Sequence, residues 1–107
     1  SLPAVHGAVY VATEGPRFET PAEIRAYRKL GGDVVGMTGV PEVVLARELN
    51  LCYAVLGFVT NWAAGMAPKA LDETELSERM QQMTDRVNSV LEQALPRIAS
   101  LGQCSCT

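Results

Sequence analysis

Three short stretches of this chain hold side chains suited to chemistry. In Glu14-Gly15-Pro16-Arg17-Phe18-Glu19-Thr20, an aromatic ring and a carboxylate stand side by side in a loop stiffened by Pro16. Phe18 and Glu19 suit a planar ligand, stacked on the ring and hydrogen-bonded to the carboxylate, but a core Phe beside a solvated Glu gives the same letters. Gly36-Met37-Thr38-Gly39 sets a hydroxyl between glycines. Two readings are open there: a phosphate bound by Thr38 and backbone N–H groups, or a Thr that caps the following helix. The third stretch, Thr60-Asn61-Trp62-Ala63-Ala64-Gly65, ends an apolar run with a polar pair. Asn61 donates and accepts at once, which fits the edge of an amide or a purine, and Asn is also a common turn former.

The remaining reactive side chains add little. His6 is the only histidine, so no acid, base and nucleophile triad can be assembled around it. Of the three cysteines, Cys52 lies in an apolar run and reads as a small buried hydrophobe. Cys104 and Cys106 are too close in sequence for an unstrained bridge and supply at most two ligands, so no metal site is expected and the tail reads as inert.

Those stretches must be positioned by regular elements. Residues 5–13 are rich in β-formers and end at Glu14-Gly15-Pro16, predicting a strand and a loop. Thr20-Pro21-Ala22-Glu23 spells an N-cap, a proline in the first turn and a capping box, predicting a helix to Leu30 before Gly31-Gly32. Residues 33–38 form a nearly continuous apolar run, the pattern of a strand buried on both faces. Pro41 then opens a second helix with Val43, Val44 and Ala46 on its apolar side and Asn50 at its end, and residues 51–60 read as a third strand. Asp72 and Glu75 start a long helix whose apolar positions Leu76, Met80, Met83, Val87, Val90 and Ala94 alternate in steps of four and three. Pro96 is expected to kink or end it, ahead of a polar tail.

Strands alternating with helices imply a parallel sheet covered on both faces. Three strands are too few for such a layer, so the sheet is expected to continue in residues outside this chain. All three candidate stretches then follow the carboxyl ends of strands, where open α/β sheets bind ligands.

Composition sets bounds on the function. The chain has 107 residues, 48% hydrophobic and 20% charged, with net charge −3 and pI about 5.0. One domain, residues 1–107, is the ceiling. Its basic residues are scattered among acids, which argues against nucleic acid and acidic membranes as partners. Neither a long apolar run nor a signal-peptide pattern is present, so a cytoplasmic location is expected.

Taken together, Thr13-Glu14-Gly15-Pro16-Arg17-Phe18-Glu19-Thr20, the run from Gly36-Met37-Thr38-Gly39-Val40-Pro41-Glu42 through Glu48, and Thr60-Asn61 closely resemble consecutive blocks of the trimeric purine nucleoside phosphorylase and methylthioadenosine phosphorylase family. The resemblance implies a three-layer α/β/α sandwich of the nucleoside phosphorylase type, whose sheet is incomplete here. In that family phosphate attacks the anomeric carbon of a purine nucleoside and the purine leaves as an anion; neither a metal nor an organic cofactor is involved, and phosphate is a co-substrate. By position, Phe18 would line the pocket against sugar and base, Glu19 would accept from the purine N1–H, Met37 would contact the ribose and Thr38 the phosphate. Asn61, next to Thr60, would face the N7 and six-position edge, where the family uses Asp for 6-aminopurines and Asn for 6-oxopurines. Methylthioadenosine enzymes carry a further Asp where this chain has Ala63. Both differences imply phosphorolysis of inosine, guanosine or methylthioinosine, with methylthioadenosine as the alternative. The 5′ selector would fall near 73–76, where Leu76 mildly favours an apolar group. A Cys-x-Cys tail occurs in some heat-adapted relatives, so a strained redox pair is a second reading of Cys104 and Cys106. Family members are much longer, and their glycine-rich phosphate loop has no counterpart in these residues. The expectation is a homotrimer or hexamer when intact, with this chain alone an inactive purine-binding or assembly piece.

Overall fold

The computed structural model describes residues 5–68 and 73–102. Chain order is β1 (Tyr10–Ala12), α1 (Pro21–Lys29), β2 (Val34–Gly36), α2 (Gly39–Glu48) and α3 (Glu73–Ala99). β1 and β2 pair in parallel with Tyr10 opposite Val34 and Ala12 opposite Gly36, and α1 is the crossover between them. Outside the strands the ladder continues: Thr13 N–H donates to Gly36 O at 2.9 Å, and Asp33 N–H to Val9 O at 3.0 Å. Parallel pairing puts both strand ends, and therefore the loops after Ala12 and Gly36, at one edge.

Local chemistry sets the helix limits. Thr20 Oγ1 accepts from Glu23 N–H at 3.3 Å, and Glu23 Oε2 accepts from Thr20 N–H at 2.6 Å, the reciprocal capping box. Arg17 adds a two-pronged clamp on the same carboxylate, Nη1 to Oε2 at 2.9 Å and Nη2 to Oε1 at 2.7 Å. This guanidinium, and then the Thr20 N–H, hold the Glu23 carboxyl down at about 2. At the far end Gly31 takes φ +93°, and Gly32 and Gly31 donate to Tyr27 O and Arg28 O, closing a Schellman turn that needs a residue tolerant of left-handed backbone. α2 ends the same way one residue earlier than its sequence suggests: Leu49 is the cap, while Asn50 takes φ +53° and Leu51 N–H reaches Ala46 O at 2.8 Å.

Two close approaches fix the β1–β2–α2 corner. Tyr10 lies over Gly36 and Gly39: a Cβ at Gly39 would stand 3.3 Å from the ring, and one at Gly36 would collide with the hydroxyl. That hydroxyl accepts from Thr38 N–H at 3.4 Å, so the start of α2 hangs from β1.

Several expectations need correction. Residues 51–60 form no strand. A strand exists through its ladder, and this segment meets no partner strand among the described residues; its apolar side chains stay exposed, Val59 at 65%. Cys52, in the same segment, is exposed rather than buried. Pro96 does not end α3, which runs on to Ala99; a proline there removes only the one N–H that would bond Glu92 O, near the end of the helix. Met83, Val87, Val90 and Ala94 are half-buried along one stripe, whereas Met80 is exposed. Asp72, the side chains of Glu75 and Leu76, and Cys104 and Cys106 lie outside the described residues.

Ile24 is the only buried apolar side chain among the described residues. The chain presents 9224 Å² of surface, against about 5,800 Å² for a folded monomer of 11.5 kDa. Its radius of gyration is 16.0 Å, against about 13 Å for a closed domain of this length. The α/β character is present, and much of the surface that such a fold normally covers is open.

Candidate functional site

A cavity of about 490 Å³ runs under α1, along β2 and against residues 59–67. Its volume is within the usual range of small-molecule sites. Phe18, Glu19, Asn61 and Ala63 line it together, although more than 40 residues of sequence separate Phe18 from Asn61. Met37, Thr38 and Thr60 do not line it.

Glu19 reaches the cavity from the loop after β1. Its Oε1 accepts from the Thr13 hydroxyl at 2.6 Å, a length typical of a hydroxyl donating to a carboxylate. Thr13 is itself anchored by its N–H on Gly36 O. The outer side of the loop is held separately, because Arg17 Nη1 also donates to Phe18 O at 3.0 Å. The Gly15–Pro16 peptide is cis, and Met37 Sδ packs over Gly15, so close that a Cβ there would stand 2.8 Å from it.

The orientation of the Asn61 amide follows from its neighbours. One amide atom lies 3.0 Å from Trp62 O, and a carbonyl only accepts, so that atom is Nδ2. Oδ1 then accepts from the Thr60 hydroxyl at 2.7 Å. Thr60 thus acts behind Asn61 rather than at the cavity wall, and one N–H of Asn61 is left for a ligand. The cavity therefore offers a carboxylate that accepts and an amide that donates, with Ala63 on the same wall.

Three wall residues escape a motif-based reading. Ile24, Tyr27 and Arg28 reach the cavity from one face of α1, and their spacing of three and four residues is the legible signal. Trp62 lines it too, as a third ring besides Phe18 and Tyr27. Thr38 occupies the N-cap position of α2 without a side-chain cap bond, which removes the capping role from its hydroxyl. Met37 and Thr38 follow the end of β2 at the same sheet edge as the Glu19 loop.

Comparison with known proteins identifies the family. The profile of the Phosphorylase superfamily matches residues 2–96. A probable S-methyl-5′-thioinosine phosphorylase of Methanopyrus kandleri is 54% identical over 94% of this chain and 40% of its own length. The 6-oxopurine nucleoside phosphorylase of Pyrococcus furiosus is 53% identical over 98% of this chain and 40% of its own length. A probable 6-oxopurine nucleoside phosphorylase of Moorella thermoacetica is 52% identical over 94% of the chain and 39% of its own. The chain thus spans about 40% of the length of the curated relatives it matches. A profile match over nearly the whole chain, joined to identities above one half, establishes that this chain belongs to the Phosphorylase superfamily.

Proposed function

We propose that this chain carries the base-recognition part of an enzyme that phosphorolyses 6-oxopurine nucleosides such as inosine, guanosine or methylthioinosine. The observation that carries the reading is the fixed polarity of the cavity: Glu19 can only accept, and Asn61 has its nitrogen committed as donor by Trp62 O. A 6-oxopurine matches this pair, with a ring N–H for Glu19 and an acceptor at O6 or N7 for Asn61. A 6-aminopurine presents a donor where Asn61 also donates. Names of the relatives, 6-oxopurine nucleoside phosphorylase and S-methyl-5′-thioinosine phosphorylase, support the same substrate class.

In the reaction a phosphate oxygen forms a bond to the anomeric carbon while the C1′–N9 bond breaks, its electron pair passing into the purine. Asn61 N–H stabilises the negative charge that grows on the base, an electrostatic contribution stronger in the transition state than in the ground state. Phe18 and Trp62 offer faces to the base, Met37 a contact to the ribose, and Thr38 with the open N–H groups of α2 a phosphate contact. Phosphate is a co-substrate, and no metal or organic cofactor takes part. In this reading the remaining length of the relatives supplies the other phosphate ligands, the missing strands of a three-layer α/β/α sandwich and the trimer contacts of a cytoplasmic enzyme.

A second reading, in which the chain alone binds purine without turnover, is favoured by its excess of open surface. Phosphate-dependent release of base from inosine, methylthioinosine and methylthioadenosine tests both, on this chain and on the chain joined to the remaining segment of a relative. Turnover of the two 6-oxopurines in the joined form supports the proposal. Preference for methylthioadenosine, or hydrolysis without phosphate, overturns it.

A further inference from the structure

We infer that Thr13 is a positioning residue for base selection, holding the Glu19 carboxylate so that one oxygen is already bonded and the other is presented to the ring N–H. The inference rests on the reading of Glu19 given above and adds a residue that touches no ligand. Glu19 sits at the end of a loop whose other polar ties all lie on its outer side: Arg17 is spent on Glu23 and on Phe18 O. Thr13 is the residue that ties the carboxylate itself, at 2.6 Å, across the base of the loop. Its own place is fixed by the strand ladder, through its N–H on Gly36 O at 2.9 Å. The Thr13 hydroxyl has a single proton. Gly36 O stands 3.4 Å from it, so the proton goes to the nearer and charged acceptor, Glu19 Oε1.

A Glu side chain has three rotatable bonds, and a free one samples several rotamers at an entropic cost on binding. A hydroxyl anchored to the sheet removes that freedom before the base arrives, the preorganisation that makes a single hydrogen bond selective. The β-branched Thr suits a position at the end of a strand, and Val would keep its shape without the donor.

The test uses the full chain with Thr13→Val, Thr13→Ser and Glu19→Ala, alone and combined, with hypoxanthine binding followed by Trp62 fluorescence. Unliganded Glu19 side-chain rotamers are followed by NMR couplings. Loss of a hydrogen bond to a charged group predicts about tenfold weaker hypoxanthine binding for Thr13→Val, with Thr13→Ser restoring most of it. In the Glu19→Ala background Thr13→Val should change nothing further, because its effect passes through Glu19. Glu19 should hold one rotamer in the parent and in Thr13→Ser and average among several in Thr13→Val. An equal loss with and without Glu19, or a Glu19 that stays in one rotamer in Thr13→Val, overturns the inference. Should the parent chain fail to bind hypoxanthine, the base-site reading fails, and the rotamer comparison still decides the role of Thr13.

Discussion

Asn61→Asp is the substitution that most directly tests the polarity of the cavity. It keeps the size of the side chain and the oxygen facing the Thr60 hydroxyl, 2.7 Å away, and replaces the nitrogen with a second oxygen. Two interactions reverse. The atom 3.0 Å from Trp62 O changes from donor to acceptor, so an attraction becomes a repulsion. The N–H offered to the base also disappears, leaving two acceptors opposed. Removing one partner of a hydrogen bond costs about 1–3 kcal/mol. Because Asn61 is only half-buried, water offsets part of that, and the lower half of the range is the better expectation. Hypoxanthine binding should weaken by about tenfold or more, while adenine, whose amino group now meets an acceptor, gains about fivefold. The sole tryptophan, Trp62, lines the cavity and reports both titrations by quenching. A ratio of the two affinities that stays within twofold of the parent, or a uniform loss for both bases, would refute the assignment of Asn61 as the discriminating donor.

Four further outcomes follow from the described geometry. Thr20→Ala removes the cap of α1 and should lower stability by about 1 kcal/mol, read from the urea midpoint. Acid lability should be traceable to Glu23: its carboxyl is held down at about 2 from an ordinary 4.5, so its contribution is complete above about 4.5 and is lost as pH falls towards 2. Glu23→Gln should flatten the stability profile over that window and lower stability by a constant amount above it, and a variant that keeps the parent's acid slope would assign the lability to another group. Gly36→Ala forces a methyl against the Tyr10 hydroxyl and should destabilise by about 1–3 kcal/mol in thermal melts, with Tyr10→Phe recovering part of the loss. Joining the chain to the remaining segment of a relative should sharply reduce binding of an apolar dye, since Val43, Val44, Leu45 and Leu56 then become covered.

Features written in neighbouring residues were legible in the sequence. Thr20-Pro21-Ala22-Glu23 names its capping box in four letters, and the Schellman turn after α1 is announced by Gly31-Gly32, because both depend on atoms only a few bonds apart. The residues 51–60 carry a clear β composition and form no strand, since composition states what a segment can pair with and the ladder requires a neighbour beside it. The site divides similarly. Phe18, Glu19, Asn61 and Ala63 were recognisable from their family blocks, and the cavity gathers them. Thr60 was legible only as the neighbour of Asn61, because adjacency in sequence does not say which of two side chains faces inward; its hydroxyl holds the Asn61 oxygen. Thr13 stood out only as the head of a family block, as its meeting with Glu19 depends on how the intervening loop doubles back.

The Tyr10 contact has a consequence for how this corner can change over generations. Tyr10, Gly36 and Gly39 share one small volume, which the ring fills to the exclusion of any side chain at the two glycines. Their variation is therefore ordered: a larger residue is accepted at 36 or 39 only after the aromatic ring at 10 has been traded for something smaller. The reverse order passes through a chain whose α2 is pushed away from β1, taking Thr38 with it. Homologous sequences should accordingly carry the aromatic ring together with the glycines or lack them together, and a lineage with a bulky residue at 36 and tyrosine at 10 should have moved the start of α2.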